Sequence, residues 1–117
     1  QKDYAAAADN YEKALKLKSD MPEASFNKGN AKYKAGKKDD AIAAYDEAIR
    51  LLENPIEKSN AWYNKGVVLQ NNQKLPECIE AYKQALKLDP KNEDARQNLQ
   101  KALQQQKQQQ QQQQKTL

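Results

Sequence analysis

The sequence predicts an all-α fold of about six helices, arranged as antiparallel pairs that stack into a solenoid. The first observation is an internal repeat: Ala7–Leu17, Ala41–Leu51 and Cys78–Leu88 share a central tyrosine and apolar positions at helical spacing. Their starts lie 34 and then 37 residues apart, which fits a helix–turn–helix unit. The second is composition, because only three Gly and four Pro interrupt a chain rich in helix-forming residues. Such units bury little surface alone and must stack.

Charge and composition exclude several classes of function. Lys and Arg number 20 against 16 Asp and Glu, and most lysines fall at helix positions that should face water. We therefore expect no nucleic-acid partner. No apolar run approaches the roughly 18 residues of a membrane helix, so we expect no membrane insertion by this segment. The single cysteine cannot form an intramolecular disulfide.

The first three helices are predicted from apolar spacing and from residues that begin or end a helix. Asp3–Lys18 carries an apolar stripe at helical spacing. Pro22, which is favourable in a first turn, begins a helix that runs to Ala35 and ends at Gly36. Asp39–Leu52 forms the third helix and turns its apolar residues inward.

The three C-terminal helices follow an insertion. Residues 53–58, which include Pro55, are predicted to absorb it as a connecting segment. Asp89–Pro90 ends the fifth helix. The predicted helices run from a cap at Ser59 or Asn60 to Asn71, over Pro76–Leu88, and from after Asn92 through Leu99 and Leu103 into the glutamines.

This order divides the chain into five parts: the second helix of an incomplete repeat (1–21), a repeat with the insertion (22–58), a second repeat (59–92), a terminal capping helix (93–103) and a Gln-rich tail (104–117). The first helix lacks its partner helix, so an uncovered apolar strip is expected at Tyr4, Ala8, Tyr11 and Leu15. We expect either a fragment of a longer protein or a homodimer through this helix. The tail is interpreted as a solubilising extension, or alternatively as a Gln-mediated self-association segment.

The repeat resembles that of the tetratricopeptide (TPR) family, whose pattern is a Trp, then Leu-Gly, an aromatic, an Ala, an aromatic, an Ala and a Pro. The last full repeat matches it at Trp62, Gly66, Cys78, Tyr82, Ala85 and Pro90. The preceding repeat matches at Gly29, Ala41, Tyr45 and Ala48, but has Ser25 for Trp and Glu53 for Pro. In this pattern small residues let paired helices approach, while Tyr45, Tyr82 and Trp62 fill the gaps.

Three segments are also similar to the TPR proteins of bacterial aerotolerance (Bat) operons: Asn27–Ala31, Asn92–Leu99 and the Gln-rich extension. Those proteins are associated with the cell envelope, so this resemblance implies a periplasmic or envelope location. It also implies an alternative function, a structural self-assembly module that stacks through the ends of the solenoid. The second phrase occurs in unrelated TPR arrays too, and a generic repeat protein would be expected in the cytoplasm.

The predicted binding site is a groove lined by the first helix of each repeat, because these helices form the concave surface of a stacked array. The predicted groove residues are Phe26, Asn27, Asn30, Tyr33, Lys34, Tyr63, Asn64, Val67, Gln70 and Asn98. Asn27, Asn64 and Asn98 share one repeat position, and such an amide ladder either binds an extended peptide or bonds to neighbouring helices. Phe26, Tyr33 and Tyr63 are the expected anchors, because exposed aromatic residues are enriched at binding hot spots. The alternative for all three is packing between helices, which is favoured for Tyr63.

The groove departs from the clamp with which chaperone-binding TPR domains hold a C-terminal carboxylate. That clamp uses two Lys, two Asn and one Arg. The matching positions here hold Asn30 and Asn64, but Phe26, Asp94 and Asn98 replace the cations. A carboxylate would lose its charge-assisted hydrogen bonds, so we do not expect a heat-shock chaperone tail as the ligand.

No catalytic, cofactor or metal site is predicted. The chain has no His, the commonest general base and metal ligand. Cys78 occupies a small-residue packing position without a basic neighbour at helical spacing, which favours a buried structural role over a nucleophile. The sequence therefore predicts a non-enzymatic module that binds a peptide or protein segment.

Overall fold

Six helices make up the described part of the chain. The computed structural model describes the backbone of residues 4–17 and 21–116, and the side chains of residues 4–10 and 21–115. Each helix packs against the next, and α4 also contacts α2 and α6, which is the order of a solenoid. The all-α prediction of about six helices is confirmed. The helices are α1 Tyr4–Leu17, α2 Pro22–Lys34, α3 Lys38–Leu51, α4 Pro55–Asn71, α5 Leu75–Leu88 and α6 Glu93–Thr116.

Local sequence explains most helix ends. Prolines stand in the first turns of α2, α4 and α5, where a missing N–H costs no intrahelical hydrogen bond. Gly36 takes a φ of 80° in the α2–α3 turn, a left-handed conformation that suits glycine. Asn92 caps α6, because the backbone N–H of Ala95 donates to Asn92 Oδ1 at 3.1 Å.

The start of α4 differs from the prediction. Residues 55–58 are helical, not a connecting segment. Asn54 caps them: the backbone N–H groups of Ile56 and Glu57 donate to its Oδ1 at 2.9 and 3.1 Å. The insertion therefore lengthens α4, which has 17 residues against 13 in α2. Ser59, a predicted cap, is consequently buried inside the helix.

At the centre of the core within each repeat, a tyrosine ring packs against a glycine. Tyr45 and Tyr82 are 2% and 0% exposed. A Cβ added to Gly29 would lie 2.5 Å from Tyr45 Cε1, and one added to Gly66 would lie 2.5 Å from Tyr82 Cε1. Only glycine fits at either position without displacing the ring. The other small residues of the pattern, Ala41, Ala48, Cys78 and Ala85, are fully buried as predicted.

Trp62 is less buried than a gap-filling residue would be. It is half-buried at the edge of the core cluster around Leu69 and Ile79. The Lys65 ammonium lies 5.0 Å from the Trp62 ring centroid and 2.6 Å from an Asp46 carboxylate oxygen on α3. Lys65 thus covers the indole and links α4 to α3, so the indole is shielded partly by a lysine stem and partly by the core.

The N-terminal helix α1 packs against α2. The prediction that Ala8 belongs to an uncovered apolar strip is wrong, because Ala8 is fully buried. Tyr4 is half-buried, and the Lys34 ammonium lies 5.6 Å from its ring centroid. The side chains of Tyr11 and Leu15 lie outside the described residues. The homodimer through this helix stays a prediction.

The terminal helix α6 continues into the Gln-rich tail, as the sequence predicted. Ala95 and Ala102 are fully buried, whereas the side chains of residues 107–115 are exposed. The exposed half follows from composition, since no apolar residue occurs between Leu103 and Leu117. In the part of the chain described, no helix combines the length and apolarity needed to cross a membrane.

Two buried serines provide a matched test of hydrogen bonding in the core. Ser25 and Ser59 are both 0% exposed. Ser59 Oγ donates to the Ala85 carbonyl oxygen at 2.7 Å and accepts from Asn92 Nδ2 at 2.9 Å. Ser25 Oγ has no hydrogen-bond partner among the described residues.

We expect Ser59→Ala to lower the free energy of unfolding by about 1–3 kcal/mol, because the Asn92 amide loses a partner. Ser25→Ala should leave it unchanged or raise it, because it removes an unsatisfied hydroxyl and alanine is the better helix former. Urea unfolding followed by circular dichroism measures both. Equal destabilisation by the two substitutions would contradict these hydrogen-bond assignments.

Candidate functional site

An open cavity of about 120 Å³ lies between α2 and α4. Four of its lining residues belong to the predicted groove, two from each helix. The fifth, Tyr45, comes from α3, and its ring passes beneath α2 to reach the cavity. We call this site the groove. Its lining residues are Asn30, Tyr33, Tyr45, Asn64 and Val67.

The floor of the groove is a hydrogen-bonded trio. The Tyr45 hydroxyl donates to Asn30 Oδ1 at 2.5 Å, and Asn64 Nδ2 donates to the same oxygen at 3.1 Å. Burial raises the pKa of Tyr45 far above its ordinary value, while the nearby Asn64 amide acts in the opposite direction. The hydroxyl therefore stays protonated and holds the Asn30 amide in one orientation.

The predicted amide ladder is displaced by one helical turn. Asn64 pairs with Asn30, which lies one turn beyond Asn27. Asn98 Nδ2 donates to the hydroxyls of Tyr63 and Tyr82, at 3.4 and 3.5 Å. Asn27 is exposed and lines a different cavity. Packed helices cross at an angle, so residues at equal repeat positions need not face each other.

The second repeat contains a related network. The Tyr82 hydroxyl donates to Gln70 Oε1 at 2.6 Å. The ring centroids of Tyr63 and Tyr82 are 6.0 Å apart, and Tyr63 is half-buried, in agreement with its predicted packing role. Burial raises the pKa of Tyr63; the nearby Asp94 carboxylate adds to this, and a hydrogen bond with Asn98 opposes it. In both repeats, therefore, a core tyrosine presents its hydroxyl to an amide on the preceding helix.

Hydrogen bonds connect the C-terminal ends of α2 and α4 and the start of α3. Asn71 Nδ2 donates to the Tyr33 hydroxyl, and Lys38 Nζ donates to the Asn71 carbonyl oxygen at 3.4 Å. Tyr33 is half-buried, so this predicted anchor is partly covered. Lys34, also predicted to line the groove, has its ammonium over the Tyr4 ring of α1.

Tyr45 lines the groove but is not among the groove residues predicted from the sequence. The repeat pattern assigns it to the core, and its ring is indeed buried. Its hydroxyl, however, reaches the groove. The sequence contains a signal for this, because both buried aromatic positions hold Tyr and a buried hydroxyl requires a partner.

The only thiol lies in the core, in the cluster against which Val67 packs. Cys78 is fully buried on α5. Burial raises the pKa of this thiol to about 11, and the neighbouring Glu77 carboxylate adds to the effect. A thiol with this pKa is almost wholly protonated near neutral pH, which does not suit a nucleophile. The described residues contain no group of three or more Cys, Asp or Glu side chains that could hold a metal ion.

Two models of the tetratricopeptide repeat match the chain, at residues 1–54 and 59–92. Together they account for about three quarters of its length. The chain belongs to the tetratricopeptide repeat family. The structure agrees, because the TPR positions for small and aromatic residues are those that build the core of each helix pair.

Several known proteins are similar in sequence to this chain. The chain is 34% identical over 76 residues to the photosystem I assembly protein Ycf3 of Cyanophora paradoxa, which covers 65% of the chain and 44% of that protein. It is 31% identical over 98 residues to small glutamine-rich tetratricopeptide repeat-containing protein 2 of Mycosarcoma maydis, covering 84% and 27%. The chain thus spans less than half the length of either relative.

A solved TPR structure has a similar fold. It is the first TPR of Spaghetti (RPAP3) bound to the HSP90 peptide SRMEEVD. It superposes with a TM-score of 0.77 at 27% sequence identity, over 86% of this chain and 78% of that one. The TPR solenoid is therefore confirmed by comparison as well as by the helix order.

Proposed function

We propose that this TPR chain is a non-enzymatic protein–protein interaction module that binds an extended peptide segment in the groove between α2 and α4. The observation that carries the proposal is the Tyr45–Asn30–Asn64 trio at the floor of an open cavity. Its amides are held in place by a core residue, so they need little reorganisation when a ligand binds.

The trio has hydrogen-bonding capacity left for a ligand. Asn30 Oδ1 already accepts two hydrogen bonds, which leaves the two N–H groups of Asn30 as donors. Asn64 uses an N–H on Asn30 and keeps its carbonyl oxygen as an acceptor. An extended peptide backbone presents both N–H and C=O groups, so this donor and acceptor match it. Val67 and Tyr33, both half-buried, add apolar surface beside them.

The TPR domain bound to the HSP90 peptide supports a peptide as the ligand class. Its peptide, SRMEEVD, carries three acidic side chains. In this chain Phe26, Asp94 and Asn98 occupy the positions at which the chaperone clamp has cations. We therefore propose a partner other than an acidic chaperone tail.

Asn64→Ala should weaken peptide binding by about 1–3 kcal/mol, because it removes the acceptor and releases the Asn30 amide. The probe is a peptide selected on the purified chain from a random-peptide display library, and fluorescence anisotropy gives its affinity. Gln84→Ala is the matched control, since this amide lies on α5 and bonds to Glu80. Equal affinity for Asn64→Ala and the unsubstituted chain, at unchanged thermal stability, would exclude this groove.

A structural self-assembly module is the second candidate. The Bat-type resemblance favours it, and so does the Gln-rich half of α6, whose side chains at residues 107–115 are exposed along a continuous helix. Stacking through the ends of the solenoid, including a homodimer through α1, predicts a sedimentation coefficient that rises with concentration. A monomer over the full micromolar range would contradict this candidate and leave the peptide-binding proposal intact.

A further inference from the structure

A second cavity, which we call the end pocket, continues the groove. Its volume is about 240 Å³. Phe26 precedes Asn30 by four residues on α2, and Asn60 precedes Asn64 by four on α4. Four helical residues rise about 6 Å, so the end pocket lies one turn beyond the groove toward the N-termini of both helices. Its lining residues are Glu23, Phe26, Asn27, Leu52, Glu57 and Asn60.

The floor of the end pocket is apolar. Leu52, at the end of α3, is 5% exposed, and the half-buried Phe26 ring has its centroid 5.9 Å from that of Tyr45. One wall of the end pocket is formed by the turn that the insertion adds to α4. Glu57 belongs to the extra turn that Asn54 and Pro55 begin, so a shorter α4 would lack it.

The rim of the end pocket is acidic. Glu23 and Glu57 are both exposed and line it from α2 and α4. An adjoining depression shares these two carboxylates and adds Glu53. None of the three appears in an ion pair within the described residues, where Glu47, Asp46 and Glu93 are the acids paired with cations. These carboxylates stand together on a chain whose net charge is +4.

We propose that the end pocket receives an Arg or Lys side chain of the bound peptide. The aliphatic stem lies on Phe26 and Leu52, and the cation lies between the Glu23 and Glu57 carboxylates. This inference rests on the proposed function, since it assigns a subsite of the same peptide path. The partner is thus a segment with a basic residue, the opposite charge preference to a carboxylate clamp.

The spacing of the two cavities also fixes the register of the peptide. Residues of an extended chain rise about 3.3 Å each, and alternate side chains lie on one face. A separation of about 6 Å therefore places the basic residue two positions from the peptide residue that lies over the Asn30 and Asn64 amides. The selected peptides should share this pair of positions.

The test uses the full chain and the peptides selected from the random-peptide library. We expect Arg or Lys to be enriched at one position of the aligned peptides. Replacing that residue by Gln in a synthetic peptide should lower the affinity by about three- to tenfold at low salt, with a smaller loss at high salt. The double substitution Glu23→Gln and Glu57→Gln should produce a similar loss, and Glu80→Gln, an exposed acid on α5, should produce none.

The outcomes separate this inference from the proposed function. If Asn64→Ala weakens binding but neither the peptide's basic residue nor the Glu23 and Glu57 substitutions change the affinity, the end-pocket inference is overturned and the groove stands. If Asn64→Ala has no effect, the proposed function fails. Selected peptides with acidic residues at the shared position would overturn the end-pocket inference directly. Replacing the residue in the peptide requires no protein variant, so folding does not confound that arm.

Discussion

A tyrosine ring packed on a glycine is the contact on which both repeats depend. The ring occupies the space where a Cβ would lie, at 2.5 Å in each repeat, so it fixes how closely the two helices of a pair approach. Close-packed interiors tolerate little change in such spacing. The same side chain ends in a hydroxyl, which in the first repeat reaches Asn30 and in the second reaches Gln70. In the first repeat, the scaffold and the groove are therefore connected through Tyr45.

The insertion between the repeats also connects architecture with site. It lengthens α4 by adding a turn at its N-terminus, because Asn54 and Pro55 form a cap and a first-turn proline. That turn carries Glu57 to the wall of the end pocket. The extended helix therefore shapes the surface on which the proposed basic residue would lie. A generic repeat of 34 residues would end the wall one turn earlier.

Sequence periodicity was sufficient for the fold, because the TPR pattern states which residues are small and which are aromatic within one helix pair. It also placed Asn30, Tyr33, Asn64 and Val67 on the face where the cavity lies. Sequence periodicity aligned Asn64 with Asn27, whereas Asn64 bonds to Asn30. The register between neighbouring helices depends on their crossing angle, and the residue pattern of a single helix carries no information about that angle. The prediction also missed the Asn54 cap, although an Asn-Pro pair is a recognisable helix start. Lys65 stands where the family pattern has Leu before Gly66, and its contact with the Trp62 indole is visible only in three dimensions.

The measurement that tests the account most directly is a double-mutant cycle between Gly29 and Tyr45, read as the free energy of unfolding in urea. Gly29→Ala alone should destabilise by about 1–3 kcal/mol, because the new Cβ overlaps the ring. With Tyr45→Val, which removes the overlapping ring atoms, the same substitution should be neutral or stabilising by up to about 1 kcal/mol, since alanine favours helix over glycine. Gly29→Ala effects of equal size and sign in the two backgrounds would contradict the claim that the ring on the glycine sets the helix spacing.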